Sequence, residues 1–322
     1  MKNTLGYLAS ITLVCVLGST CSVVRAAPAQ PASAPAIEVT VTDLTPKFLS
    51  FYDEASREQA SPEQRWTLWK RDYDFAAVPP TPAGQAMARK MLDQAWPRYP
   101  AALDLIRQGA AGLNPDPQTT ARAIADLLTP ASAIKLTLVV YVGAFEENAF
   151  TAAGDGWIMV AVPIEAAAEN RKIRMTHEMT HAVHIGMGSF SGGWIRTVGT
   201  TVLTEGLATR VVQRLNPGLP DAAIIGGRQG WLAEADSKRV AILNDIKGAL
   251  RSSSADDVVR YTIGKGQAGI EREAYYAGWL VVGYWLDHGM SFADIARIPE
   301  AQMPAQVGDA IQNLLAQSGA SR

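Results

Sequence analysis

Apolar positions recur along the chain at two spacings, and the switch between them outlines the architecture. Leu49 with Tyr52, and Trp66 with Trp69, sit three apart, as on one face of a helix. A loop at Val78-Pro79-Pro80-Thr81-Pro82 interrupts them. Helical patterns resume over 83–107 and 119–128, the second stopped by Pro130. The period changes over 135–142 (KLTLVVYV) and 157–162 (WIMVAV), two β-rich runs joined by a Gly-containing loop. These are the only strands the pattern predicts, so the sheet should be small. Beyond residue 166 the pattern is helical again, over 171–185, 194–215, 231–250, 271–287 and 304–316. Asn216-Pro217-Gly218 closes the second of these, Gly289 follows the fourth, and Pro304 suits the first turn of the fifth. No internal repeat occurs. The expected fold class is α+β, dominated by helices.

The first residues read as an export signal. Lys2 provides the positive start, and Leu5 to Gly18 is apolar apart from small or hydroxyl residues. Val24-Arg25-Ala26 offers small side chains for cleavage after Ala26. The apolar stretch is shorter than the roughly 20 residues that span a bilayer. No stable membrane insertion is expected once it is removed. The alternative is a lipid on Cys21, against which the approach Gly18-Ser19-Thr20 argues. Residues 27–37, with Pro28, Pro31 and Pro35, then read as an Ala/Pro-rich tether. The expected destination is the periplasm or the medium.

Composition narrows the chemistry. Hydrophobic residues make up 48% of the chain and charged residues 19%, as in ordinary globular proteins. The formal net charge is −2, and losing Lys2 and Arg25 makes the mature chain two units more negative. No basic run interleaved with aromatics appears, so no nucleic-acid partner is expected. Both cysteines, Cys15 and Cys21, lie in the export signal. The mature chain would then lack thiol chemistry, and any metal must be held by His, Asp or Glu.

One segment carries such chemistry. Residues 171–185 read RKIRMTHEMTHAVHI, with His177 and His181 four apart and therefore on one helix face. Two imidazoles so spaced can reach a single Zn²⁺ at about 2.0–2.1 Å. Glu178 would lie beside the ion, able to take a proton from the attacking water. With four histidines in the chain, a chance His-Glu-x-x-His match is on the order of a few thousandths. His184, one turn past His181, is too far along the axis to join His177 on one ion. It reads as a residue behind the ligands or at the surface.

The third ligand is expected from Glu205, 24 residues after His181. It is the one acid of its helical segment, with Val198, Val202, Leu203, Leu207 and Val211 as the apolar surface. A lone buried carboxylate costs on the order of several kcal/mol unless paired or metal-bound. The alternative is a partly exposed helix acid near Arg210.

His177-Glu178-x-x-His181 followed by Glu205-Gly206-Leu207-Ala208 resembles the gluzincin metallopeptidases, including the aminopeptidase N family, and among them a bacterial family of predicted secreted Zn-dependent proteases. The resemblance spans about 139–298. It implies a zincin-like catalytic domain over 38–322, with an upper lobe to about 190, a lower lobe over 191–322, and one zinc ion in the cleft between them. It further implies hydrolysis of peptide or protein substrates, with a strand at the sheet edge lining the cleft, here expected at 157–162. Asn148-Ala149-Phe150 resembles the edge segment of thermolysin-like members, from which Thr151 departs. Tyr275, three before Gly278, resembles the aminopeptidase N tyrosine that stabilises the oxyanion. Tyr276 and His288 compete for that role. A zinc hydrolase of a non-peptide amide or ester, and a silent zincin-fold binding protein, carry the same motif.

Overall fold

Ile37, Val39 and Val41 alternate with Glu38, Thr40 and Thr42, and this period of two builds a strand where the sequence reading ends a tether. The computed structural model describes residues 36–193 and 195–320. The expected export signal and its cleavage site, Cys15, Cys21, almost all of the expected tether, and Trp194 lie outside the described residues.

Four strands are present among the described residues: β1 (Ile37–Asp43), β2 (Ile134–Tyr141), β3 (Phe150–Gly154) and β4 (Trp157–Pro163). Their order is β1-β2-β4-β3, with β1, β2 and β4 parallel and β3 antiparallel to β4. Two expectations are thereby corrected. The sheet has four strands rather than two, and 157–162 is an interior strand, not the edge. The edge is β3, joined to β4 by Asp155-Gly156, where Gly156 takes the positive φ of 74° that such a tight hairpin requires. β2 is buried on both faces along most of its length, as parallel strands covered by helices are.

Five helices connect β1 to β2: α1 (Thr45–Arg57), α2 (Pro62–Asp72), α3 (Pro82–Ala95), α4 (Tyr99–Gln108) and α5 (Pro117–Leu128). The helix expected over 83–107 is broken at Trp96-Pro97-Arg98 into α3 and α4, because Pro97 and Pro100 cannot donate main-chain hydrogen bonds. After the sheet come α6 (Ala168–Gly186), α7 (Val198–Leu215), α8 (Asp221–Ile225), α9 (Trp231–Ser237) and α10 (Arg239–Ala249), followed by α11 (Ala255–Thr262), α12 (Glu273–Asp287), α13 (Phe292–Ala296) and α14 (Met303–Ala320). The helix expected over 231–250 divides at Lys238. The result is a helix-rich α+β fold with a small mixed sheet.

Two of these helices carry His177, His181 and Glu205. α6 lies against β3, β4, α5 and α7, and α7 lies against α6, α12 and α14. Thr197 caps α7 by accepting the Thr200 N–H. Fourteen of its eighteen residues are buried, so an acid on it enters the core. No helix among the described residues is long and apolar enough to cross a membrane.

Candidate metal centre

The helical spacing of four sets His177 above His181 on α6, and their Nε2 atoms are 3.1 Å apart. Glu205, on α7, meets both. Its Oε2 lies 3.0 Å from His177 Nε2 and 3.4 Å from His181 Nε2. Its side chain is 6% exposed, so it is not the partly exposed acid near Arg210 of the alternative reading. Arg210 instead turns to α12, where it donates to the Trp279 carbonyl.

Three donor atoms thus form a nearly equilateral triangle. Ligands at about 2.0–2.1 Å in a tetrahedron stand roughly 3.3–3.4 Å apart, close to the spacings seen. Two imidazoles and one carboxylate also match the donor set of a catalytic ion with an open position. The residues fit a metal ion. His177, Glu178 and His181 together offer donor atoms within 4.8 Å of one another.

The electrostatics ask for positive charge at this point. Burial alone would raise the Glu205 pKa, but His181 and His177 outweigh it and hold the carboxyl well below its usual range. Burial alone would lower His181, yet the facing Glu205 carboxylate raises it. A buried carboxylate between two imidazoles is stable only if a proton or a cation sits among them.

Glu178 points from α6 toward the sheet edge. Thr151 Oγ1 on β3 lies 2.8 Å from both Glu178 Oε2 and the Glu178 carbonyl oxygen, and its single hydrogen can serve one of them at a time. The departure from the thermolysin-like segment is therefore the residue that ties the edge strand to Glu178.

Tyr275 reaches the centre and its rivals do not. Its ring stacks on His177 with centroids 6.3 Å apart. Burial, and then the Glu205 charge, push its pKa up, so the hydroxyl stays a donor. Tyr276 turns to the other side of α12, fully buried, and donates to Asp236 Oδ1 at 2.7 Å. His288 is exposed at the far end of α12, roughly 20 Å along the axis from Tyr275. His184 is not a surface residue. It is 1% exposed against Phe190, and burial depresses its pKa to about 3. Neither ring nitrogen has a partner of good hydrogen-bond geometry, and the Ala296 backbone is the polar group bearing on it.

Three further residues take part without a sequence signal of comparable strength. Arg196 Nη2 lies 3.8 Å from Glu205 Oε1, while its Nε donates to Thr201 Oγ1. Arg272 lays its guanidinium 3.8 Å from the centre of the Tyr275 ring. Gly206, next to Glu205, meets Gly278 on α12 backbone to backbone. A glycine inside each of two apolar helices is a packing signal in the sequence, but it does not say which helices meet. Space opens on both sides of the centre. A pocket of 130 Å³ includes Thr151, Arg196 and Phe190, and a cavity of 470 Å³ includes Arg174, Arg272 and Ile263.

Compared with known proteins, the chain matches no family model, no curated protein and no solved structure.

Proposed function

We propose that the protein is an exported zinc metallopeptidase with a zincin-like catalytic domain whose two lobes flank the centre. The observation that carries this reading is the convergence of His177, His181 and Glu205, from two helices 24 residues apart in sequence, on one point beside Glu178. Zinc suits a two-imidazole, one-carboxylate set better than magnesium or calcium, which favour oxygen donors. Once bound, it would supply a Lewis acid and acidify an attached water. Glu178 takes the proton of the attacking water and passes it to the leaving amine. Thr151 holds the Glu178 carboxylate toward the cleft. Tyr275 donates to the carbonyl oxygen as negative charge gathers on it. β3 leaves one main-chain edge free of strand pairing among the described residues, and an extended peptide can add to it by hydrogen bonds.

The test combines metal analysis of the purified protein with mass spectrometry of a digested peptide library. One zinc per chain and cleavage that disappears in Glu178→Gln are expected. Stoichiometric zinc with no cleavage of any peptide would remove the peptidase reading.

A further inference from the structure

Arg272 is a half-buried cation without an ion-pair partner among the described residues. Its guanidinium stacks on Tyr275 and, with five N–H donors to place, donates to the Ile225 carbonyl at 3.0 Å. Its Nε–H is buried without a partner. No carboxylate among the described residues forms an ion pair with it. Arg196, on the other side of the centre, pairs with Glu205.

The cavity that Arg272 lines holds a second guanidinium. Arg174 approaches Glu147 at 3.4 Å, and its Nε is likewise buried and unpartnered. His177 and Glu178 form the wall shared with the metal centre, and Ile173 and Ile263 give the cavity an apolar lining. Two contacts fix how far Arg272 stands from the chemistry. Its Cζ is 3.8 Å from the Tyr275 centroid, which is 6.3 Å from that of His177. The guanidinium therefore lies within about 10 Å of the His177 ring, roughly three residues of extended chain. A side chain beside the scissile bond, or a chain end one or two residues away, spans that distance.

We infer that this cavity is a specificity site for a substrate carboxylate, held by Arg272 with help from Arg174. The carboxylate belongs to an acidic side chain or to a free carboxy terminus close to the bond that is cut. A half-buried guanidinium whose Nε–H has no partner gains from meeting an anion, and arginine's planar fork matches a carboxylate with two hydrogen bonds. Glu147 matches Arg174, so the charge left for the substrate is that of Arg272. Glu178 repels a carboxylate that strays toward the centre, which keeps the anion at the arginine end of the cavity. This inference rests on the peptidase reading for the identity of the substrate but not for its test.

The test is equilibrium binding to full-chain Glu178→Gln protein loaded with zinc, which requires no turnover. Two pairs of blocked peptides are compared, one differing by Glu against Gln at a single position, the other by a free against an amidated carboxy terminus. The carboxylate member of one pair should bind about tenfold tighter, the worth of one charge-assisted bidentate contact. Preference confined to the first pair assigns a side-chain carboxylate, and to the second a chain end. Arg272→Leu should bring the ratio near one, and Arg272→Lys should retain part of it. Equal binding within both pairs, no binding of any peptide, or a ratio that survives in folded Arg272→Leu overturns the inference. The wild-type ratio decides even if the leucine variant does not fold. Failure of the wild-type protein to cleave peptides would sink the peptidase reading and leave this ratio still measurable.

Discussion

Gly206 and Gly278 touch through their backbones: a Cβ built on Gly206 would stand 2.3 Å from the Gly278 carbonyl oxygen, and one built on Gly278 would stand 2.3 Å from that of Val202. Glycine inside a helix costs about 0.5–1 kcal/mol relative to alanine. Here it lets α7 and α12 approach until Tyr275, one turn before Gly278, faces the pocket that holds Glu205. Gly206→Ala or Gly278→Ala should force the helices apart and destabilise the protein by on the order of 1–3 kcal/mol. Urea denaturation measures this, and unchanged midpoints would mean that the helices accommodate the methyl group elsewhere.

Metal content should follow the three converging side chains. His177→Ala and His181→Ala should lose most of the zinc, and Glu205→Ala should bind it severely more weakly. His184→Leu should keep it, because that ring is buried behind the ligands against Phe190. Elemental analysis after exhaustive dialysis checks the series. Zinc lost from the His184 variant and kept by the Glu205 variant would reverse the third-ligand assignment.

Thr151→Val replaces the hydroxyl by a methyl of similar shape and frees the Glu178 carboxylate. A hydrogen bond to a charged group is worth about 1.5–3 kcal/mol, so kcat should fall about tenfold or more while zinc remains bound. Thr151→Ser, which keeps the donor, should recover most of the activity. Equal activity in all three proteins would show that Glu178 needs no support from the edge strand.

Tyr275→Phe should lower kcat by roughly 10²–10³ with little change in KM, the pattern for a donor that acts mainly in the transition state. Tyr276→Phe should leave kcat nearly unaltered. It should cost about 1 kcal/mol of stability through the lost bond to Asp236. Steady-state kinetics and thermal melting on the same two variants separate the roles, and a kcat loss confined to Tyr276→Phe would move the donor.

Glu273 sets a pH dependence of stability away from the metal centre. It is fully buried, and burial followed by the facing Asp245 carboxylate pushes its pKa up to about 7 from an ordinary 4.5. A carboxyl raised in the folded state favours folding below its unfolded pKa, and that contribution disappears as pH rises through about 7. The wild type should therefore lose stability between about pH 5 and 8. Glu273→Gln, which can still accept from the Ile270 N–H and carries no charge, should lose less. Denaturation midpoints across that range test it, and parallel curves for the two proteins would exclude Glu273 as the cause.

Local spacing is enough to reveal part of this molecule. Histidines four apart must share a helix face, so His177, Glu178 and His181 are legible as a group before any fold is known. Glu205 is legible because a single acid among apolar positions has to find a cation. The helix-rich character follows from the period of the apolar residues, although Pro97 and Lys238 divide helices that the pattern leaves continuous. The alternation from Ile37 to Thr42 is also written in the chain, yet it lies against a proline-rich stretch whose end it obscures. What local pattern does not contain is which elements meet. β3 becomes the edge, and β4 the interior, through pairing with β2 across the sheet. Thr151 meets Glu178 only because that edge lies on α6. Tyr275 rather than Tyr276 faces the centre because the Gly206–Gly278 contact sets the rotation of α12 against α7. Arg272 lies on Tyr275 by a local contact three residues apart, but the same packing brings the pair to His177 and to the Ile225 carbonyl. Contacts between residues far apart in sequence depend on the shape of all the surfaces that pack together, and only the tertiary structure decides them.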